Sequence, residues 1–241
     1  MDEKVVYVGK DLEAMSFALN YHRWILKIFA PYLGTRIVEV GAGTGSFSEL
    51  VLKYQPESLS LVEPSEEMYK MLNERIGQLN SPTQIKTYNT VFAGVAERLK
   101  ATQRPDSVIL VKVLEHILDD ETELSTVHRT VSSGGRVLIF VPALPWLYGI
   151  FDEHIGHHRR YTKSELEGKC RCAGFTVVEC RYFDIAGIVP WWLKYRLFKS
   201  STMEPRTVKT YDTYVVPAAS ALESIMRPPI GKNLLLIGKK P

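Results

Sequence analysis

Val38-Glu39-Val40-Gly41-Ala42-Gly43-Thr44-Gly45 is the stretch whose reading decides the fold. The β-branched run Arg36-Ile37-Val38-Glu39-Val40 that carries the chain into it predicts a short strand. Glycines at 41, 43 and 45 allow a tight turn and let a ligand approach main-chain atoms. Phe47, Leu50, Val51 and Tyr54 then share one helical face, so the turn opens a helix whose free N–H groups point at that ligand. A dinucleotide fingerprint would require glycine at 46. This chain has Ser46 there, and its spacing is GxGxG with an acid two residues ahead of the first glycine.

The strand–helix unit repeats on either side of the turn. Leu59–Glu63 predicts a second strand, and Met68, Leu72, Ile76 and Leu79 form the face of the next helix. Gln84–Asn89, Ser107–Lys112 and Arg136–Val141 predict further strands, the last ended by Pro142. Leu124, Val127 and Val131 mark a helix closed by Gly134 and Gly135. Upstream, Met15, Ala18, Leu19, Ile25, Ile28, Phe29 and Tyr32 recur at helical spacing. Downstream, Thr162 and Glu165 form a capping box, Phe175–Cys180 predicts a strand, and Asn233–Gly238 a last one. Between those two strands run an apolar stretch, Ile185–Phe198, and a polar segment, Lys199–Tyr214, read as irregular. Alternating strands and helices imply right-handed crossovers and a doubly wound, mostly parallel α/β sheet of seven strands covered on both faces.

Composition narrows the function classes. With 241 residues, 45% hydrophobic and 24% charged, the chain can bury a substantial core. One domain over 1–241 is expected, with a cap helix at about 10–33 and acceptor-side lid segments at about 142–162 and 185–230. The net charge of +3, without a long run of one sign, gives dedicated nucleic-acid binding little support. Cys170, Cys172 and Cys180 are too few for a disulfide framework or a four-thiolate zinc site. The polar N-terminus has the character of neither a signal nor a transit peptide, and no apolar run approaches the ~18 residues of a spanning helix. The expected location is the cytoplasm.

Three places carry chemistry. Glu63 closes the second predicted strand, where a carboxylate accepts hydrogen bonds from both hydroxyls of a ribose. Ser65 caps the following helix, and Met68 on it is placed to pack on an adenine or in the core. After the fourth strand comes Lys112-Val-Leu-Glu115-His116-Ile-Leu-Asp119-Asp120. Glu115, His116, Asp119 and Asp120 could gather a divalent cation, but Asp119 and Asp120 read more simply as a helix cap, and no metal is expected. After the fifth strand comes Asp152-Glu-His154-Ile-Gly-His157-His158-Arg-Arg160-Tyr161, with three of the six histidines within five residues. Histidine suits proton transfer near neutral pH, which makes His154, His157 and His116 the candidate bases, and Glu115 beside His116 could also serve in proton removal. A solvated basic loop is the plainer alternative.

VEVGAGTG, LVEP and VLEHILDD together resemble the class I S-adenosylmethionine-dependent methyltransferases, over roughly residues 20–145 and the last strands. The resemblance implies S-adenosylmethionine as cofactor. It implies a methionine end held by Gly41, Ala42, Gly43 and Gly45 with Glu39 nearby, a ribose held by Glu63 beside Pro64, and an adenine near Met68, Thr90 and Val91. Asn20-Tyr21-His22-Arg23 resembles the segment that folds over the methionine carboxylate, with Tyr21 the chosen contact, and Lys112 falls beside the sulfonium. The C-terminal part resembles small bacterial methyltransferases with GHxRRYT and a WW pair, which fixes no substrate. The place of the loop after the fifth strand, at the cofactor edge of the sheet, puts His158, Arg160 and Tyr161 on the acceptor side, and Trp191 belongs to a candidate lid over it.

Pro190–Phe198 interleaves aromatics with bases, a pattern that fits a lid helix, a lipid substrate or peripheral membrane contact. The expected reaction is methyl transfer to a small-molecule or lipid- or glycan-linked acceptor, at oxygen, with a histidine removing the proton. A catalytically silent cofactor-binding regulator or scaffold is the alternative. A nicotinamide-dependent oxidoreductase is disfavoured by Ser46, and an RNA methyltransferase by the weak charge.

Overall fold

The computed structural model describes residues 18–241. Seven strands form one sheet: β1 (Arg36–Val40), β2 (Ser58–Val62), β3 (Gln84–Tyr88), β4 (Ser107–Val111), β5 (Arg136–Pro142), β6 (Thr176–Phe183) and β7 (Asn233–Lys239). Their order is β3-β2-β1-β4-β5-β7-β6. The first five run parallel, while β7 enters antiparallel between β5 and β6. Helices fill the crossovers, so both faces are covered and the middle strands are continuously apolar. Val38, Val40, Val108 and Leu110 face one core, and Ile37, Leu59, Leu61 and Ile109 face the other.

The topology places the site. From β1 the chain winds outward to β2 and β3, then returns across β1 to build β4 and β5. The switch opens a crevice at the carboxyl ends of β1 and β4. The amides of Gly41 and Ala42 both reach the Val62 carbonyl, at 2.8 and 3.1 Å, which fixes the glycine turn at that edge.

The helix Leu19–Phe29 lies in the expected cap region; Met15 and the expected start near residue 10 lie outside the described residues. This helix has no cap from its own sequence. Asp212 supplies one across the fold, accepting from the amides of Asn20 (3.0 Å) and Tyr21 (2.8 Å). The capping box at Thr162 forms, with Thr162 Oγ1 accepting from the Glu165 amide at 3.2 Å.

Two segments differ from the sequence reading. The short helix Ala96–Thr102 in the β3–β4 crossover has only Ala96 and Leu99 buried, too few apolar positions to show periodicity. Lys199–Tyr214, read as irregular, holds a helix from Pro205 to Thr210 that continues through a wider turn into Val216–Ile225. Pro205 sits in its first turn, and Val208 and Tyr211 pack on the core beside the Leu19–Phe29 helix. The polarity belongs to the solvent face, and tertiary packing decides the helix.

The loop after β5 closes on itself. Tyr161 donates its amide to Pro142 O (2.9 Å) and accepts at its carbonyl from the Leu144 amide (3.1 Å). Residues 145–160 therefore leave β5 and return to its end, carrying the histidine cluster over the crevice.

Candidate active site

The glycine turn is built from left-handed backbone. Gly41 has φ +68° and Gly45 φ +80°. A Cβ on Gly41 would stand 2.6 Å from Val113 Cγ2, and one on Gly45 2.7 Å from Leu72 Cδ1, so both positions exclude a side chain by conformation and by space. Glu63 is tied to the turn: its carboxylate accepts from the amides of Gly43 and Ser65, each at 2.8 Å. Burial still leaves its pKa above the usual carboxylate value, against the pull of those two amides. Glu39 lies buried under the turn with Oε2 unpartnered among the described residues, and burial pushes its carboxyl up to about 8.

A cavity of about 510 Å³ opens above these residues. Gly41, Gly43, Glu63, Pro64, Val91 and Phe92 line one end. Lys112, Val113, His116 and Ile117, after β4, line the middle. The far end is walled by Phe151, His157 and Arg160 from the β5 loop, by Trp191, Tyr195, Met203 and Tyr211 from the insertion between β6 and β7, and by Lys232 and Asn233 at β7.

A buried hydrogen-bond chain crosses this cavity. Lys112 Nζ donates to Asn233 Oδ1 (2.6 Å), Asn233 Nδ2 to Tyr21 Oη (2.7 Å), and Tyr21 Oη to Asp184 (2.9 Å). Asp184 also pairs with Lys232 at 3.0 Å. Burial and the Asp184 charge raise the Tyr21 phenol well above its ordinary value, so it stays protonated as a donor. Lys112 occupies a left-handed conformation, φ +60°, unusual for a non-glycine residue. Burial lowers its ammonium to about 7, although the neighbouring Glu115 opposes the shift.

The second cluster centres on Asp152. Its carboxylate meets His157 Nδ1 at 2.8 Å, Arg160 at 2.9 Å and the Gly149 amide at 3.1 Å. Burial alone would raise its pKa, but His157 and Arg160 outweigh burial and hold it below the ordinary value. An ionised carboxylate only accepts, so Nδ1 is the ring nitrogen that donates to Asp152. Nε2 lies 3.8 Å from Glu115, whose two oxygens are fully buried and have no hydrogen-bond partner among the described residues. Burial raises the Glu115 pKa, with Lys112 and His157 pulling against it. The His116 ring lies edge-on to His157 at 4.6 Å, and burial lowers His116 to about 3, so it is neutral. The Arg160 guanidinium sits 4.7 Å over the Trp191 ring.

Among the expected residues, Tyr21, Gly41, Gly43, Glu63, Pro64, Val91, Lys112, His116, His157, Arg160 and Trp191 meet at the cavity. Glu39, Ala42, Gly45, Met68 and Thr90 are outside its lining: the first four are buried around the turn and the following helix, and Thr90 stands over Gly94. His154 and His158 are exposed and not brought to it, because the last turn of the Ile150–His154 helix and the return of the loop aim them outward. Tyr161 is fully buried with its hydroxyl on Asp120 at 2.7 Å, a post that closes the loop.

The acid set weighed for a cation divides. Asp119 caps a helix through the Thr122 amide (3.0 Å), and Asp120 is engaged by Tyr161, Arg159 and Lys169. Glu115 and His116 instead meet His157, with one ligand atom from each within 4.8 Å of the others. Asn233, Lys232, Asp184 and Tyr211 escaped the sequence reading; an asparagine opening an otherwise apolar last strand was the one signal available.

A turn of this geometry, an acid at the end of β2 and a 3-2-1-4-5-7-6 sheet define a nucleotide-cofactor site on a Rossmann-like fold. Residues 14–180 match the family model described as a methyltransferase domain, and the chain belongs to that family. No curated protein matches the chain by sequence. Among solved structures, it is similar to an S-adenosylmethionine-dependent methyltransferase from Archaeoglobus fulgidus, with a TM-score of 0.60 at 20% identity, over 95% of this chain and 99% of that one. It is similar to a mycolic acid cyclopropane synthase complexed with S-adenosylhomocysteine, with a TM-score of 0.61 at 12% identity, over 89% and 82% of the two chains. It is also similar to the Burkholderia thailandensis 1,6-didemethyltoxoflavin-N1-methyltransferase, with a TM-score of 0.57 at 17% identity, over 96% and 82%. The fold is that of the class I methyltransferases, whose cofactor is S-adenosylmethionine.

Proposed function

We propose that this enzyme methylates a hydroxyl of an apolar small-molecule or lipid-linked acceptor, with the Asp152–His157 pair removing the proton. Bound S-adenosylmethionine supplies an electrophilic methyl group with a neutral sulfide leaving. The residues of the turn fit that group. Gly41 and Gly45 have no room for a Cβ, Gly43 holds a left-handed φ of +57°, and Glu39 Oε2 is a buried oxygen without a hydrogen-bond partner among the described residues. Glu63 faces the cavity with lone pairs beyond those used by Gly43 and Ser65, suited to two ribose hydroxyls, with Pro64 and Val91 toward the base. Tyr21 and Lys112 lie toward the methionine end.

The observation that carries the proton step is the 2.8 Å contact between Asp152 and His157 Nδ1 in the cavity wall. In the neutral tautomer that this contact fixes, Nε2 is the lone-pair nitrogen for the acceptor hydroxyl, and the ionised Asp152 stabilises the imidazolium that follows. Arg160 and Trp191 shape the acceptor end, and segments 142–162 and 185–230 act as its lid in one domain over 1–241. His154 and His158 lie outside the cavity, which gives the base role to His157, with His116 as its neutral neighbour. The test is formation of S-adenosylhomocysteine against a panel of phenols, sugars and lipids. Cofactor binding with no turnover on any acceptor would favour the silent regulator or scaffold.

A second reading is favoured by the unpartnered Glu115 oxygens. Glu115, His116 and His157 could together hold a divalent cation, with Asp152 orienting His157 as carboxylates orient metal-bound histidines. The positive charge of Lys112 and Arg160 in the same corner weighs against it. Turnover that survives dialysis against EDTA supports the base; loss restored by added Mg²⁺ or Zn²⁺ supports the cation.

A further inference from the structure

The helix that walls the acceptor end is apolar on both sides. Its inward residues are Ile188, Trp191 and Tyr195, with Trp191 and Tyr195 packed on Phe151 at ring separations of 5.4 and 4.3 Å. Its outward residues are Val189 (62% exposed), Trp192, Leu193, Leu197 and Phe198 (74% exposed). A surface helix ordinarily turns polar side chains to water. Positions 189, 192, 193 and 197 fall on one face at helical spacing, so this is a stripe and not scattered exposure.

The stripe continues onto a second element. The helix Ile150–His154 packs on Trp192–Leu197, and a Cβ on Gly149 would stand 3.2 Å from the Tyr195 carbonyl oxygen. Ile150 on that helix is exposed, as is Trp146 just before it in the same loop. The segment itself carries only basic charge, with Lys194, Arg196 and Lys199 the charged residues between Gly187 and Met203, while Glu153 on the Ile150–His154 helix and Glu204 just past Met203 are exposed acids. Exposed tryptophans beside lysine and arginine suit the boundary between headgroups and acyl chains, where an indole has an apolar body and a polar edge and basic side chains snorkel to phosphates. Among the described residues no helix is long and apolar enough to cross a membrane, so such an element lies on the surface.

We infer that the outer face of Ile188–Phe198, with Trp146 and Ile150, docks the enzyme on an anionic lipid bilayer. Trp191, Lys194 and Tyr195 of the same helix line the cavity. The docked face is therefore the rim of the acceptor pocket, and an apolar acceptor can pass from the bilayer into it without crossing water. The docking needs no methyl transfer and stands or fails independently of the proposed reaction.

The test is co-sedimentation with sucrose-loaded vesicles, either phosphatidylglycerol–phosphatidylcholine or phosphatidylcholine alone, with tryptophan emission recorded in parallel. The native enzyme is expected to bind the anionic vesicles with a blue shift, and pure phosphatidylcholine at least tenfold less. A Trp192→Glu, Phe198→Ser variant should lose at least tenfold in vesicle affinity while binding S-adenosylmethionine by calorimetry as the native protein does. Arg196→Glu with Lys199→Glu, which leaves the apolar stripe intact, should reduce binding and its salt sensitivity together. Failure of the native enzyme to bind anionic vesicles, or binding unchanged in both variants, overturns the proposal. A concentration-dependent dimer abolished by the first variant, without vesicle binding, assigns the face to a second copy of the chain instead.

Discussion

The two ends of the cavity are built by different rules. At the cofactor end the working groups are backbone amides and one carboxylate, drawn from two adjacent parallel strands, and Glu63 bonds directly to Gly43 (2.8 Å). At the acceptor end they are side chains from segments far apart in sequence. The Asp152–His157–Arg160 cluster, Asp184, Tyr211 and Asn233 meet only because β7 inserts between β5 and β6 and the loop after β5 folds back. The first end is rigid by local conformation. The second depends on packing, and charged groups there such as Asp152 and Arg160 hold one another in place. A fold family can thus keep its cofactor end while its acceptor end is free to diverge.

Breaking the comparison at the acceptor end should cost most. His157→Ala is expected to lower kcat by roughly a hundredfold to ten-thousandfold, the usual range for a general base, with cofactor affinity by calorimetry unchanged. A large loss of cofactor affinity would show that the two ends are not separable. Next is acid sensitivity on the cofactor side. His22 is buried against Phe47, and burial alone lowers its pKa to about 4 from 6.5. The unfolded chain therefore takes up a proton between pH 6.5 and 4 that the folded chain refuses, and stability falls as pH drops through that window. The effect is at most about 3 kcal/mol, and His22→Leu should flatten the denaturation midpoint over that range. A midpoint that falls as steeply in the variant would remove His22 as the cause.

Glu63→Ala removes the acceptor of both amide bonds and, on the proposed reading, of the ribose. It should weaken S-adenosylmethionine binding by roughly 2 kcal/mol, seen by calorimetry, and leave the acceptor KM within about twofold. The smallest effect is expected from His154→Ala and His158→Ala. Both side chains face solvent, and turnover should stay within about twofold of native. A strong loss in either would mean that the loop closes further over the acceptor than its present position allows.

Much of the fold was legible because it is written in periodic backbone pattern. The strands were found within a few residues of their limits, apart from β6, which runs on to Phe183 past the predicted end at Cys180. Ser46 and Glu63 narrowed the turn to its family without any contact being known. The helix Pro205–Thr210 was not legible because its apolar positions are few and its stability comes from Val208 and Tyr211 packing on another element. The histidine loop announced itself by composition, but composition could not choose among its members. His154, His157 and His158 are chemically identical, and what separates them is that one return of the chain buries the middle ring against Asp152.

The sequence alone determined the sheet, the glycine turn and the acid opposite it. Those depend on φ/ψ preference, burial periodicity and spacing, which neighbouring residues set. Only the tertiary structure decided which histidine, which cations and which aromatic helix wall the far end of the cavity. Asn20 and Tyr21 are capped by Asp212, and Lys112 is held by Asn233. Pairings of that length are fixed by which elements pack together, because a side chain's partner across the fold leaves no trace in its own local pattern.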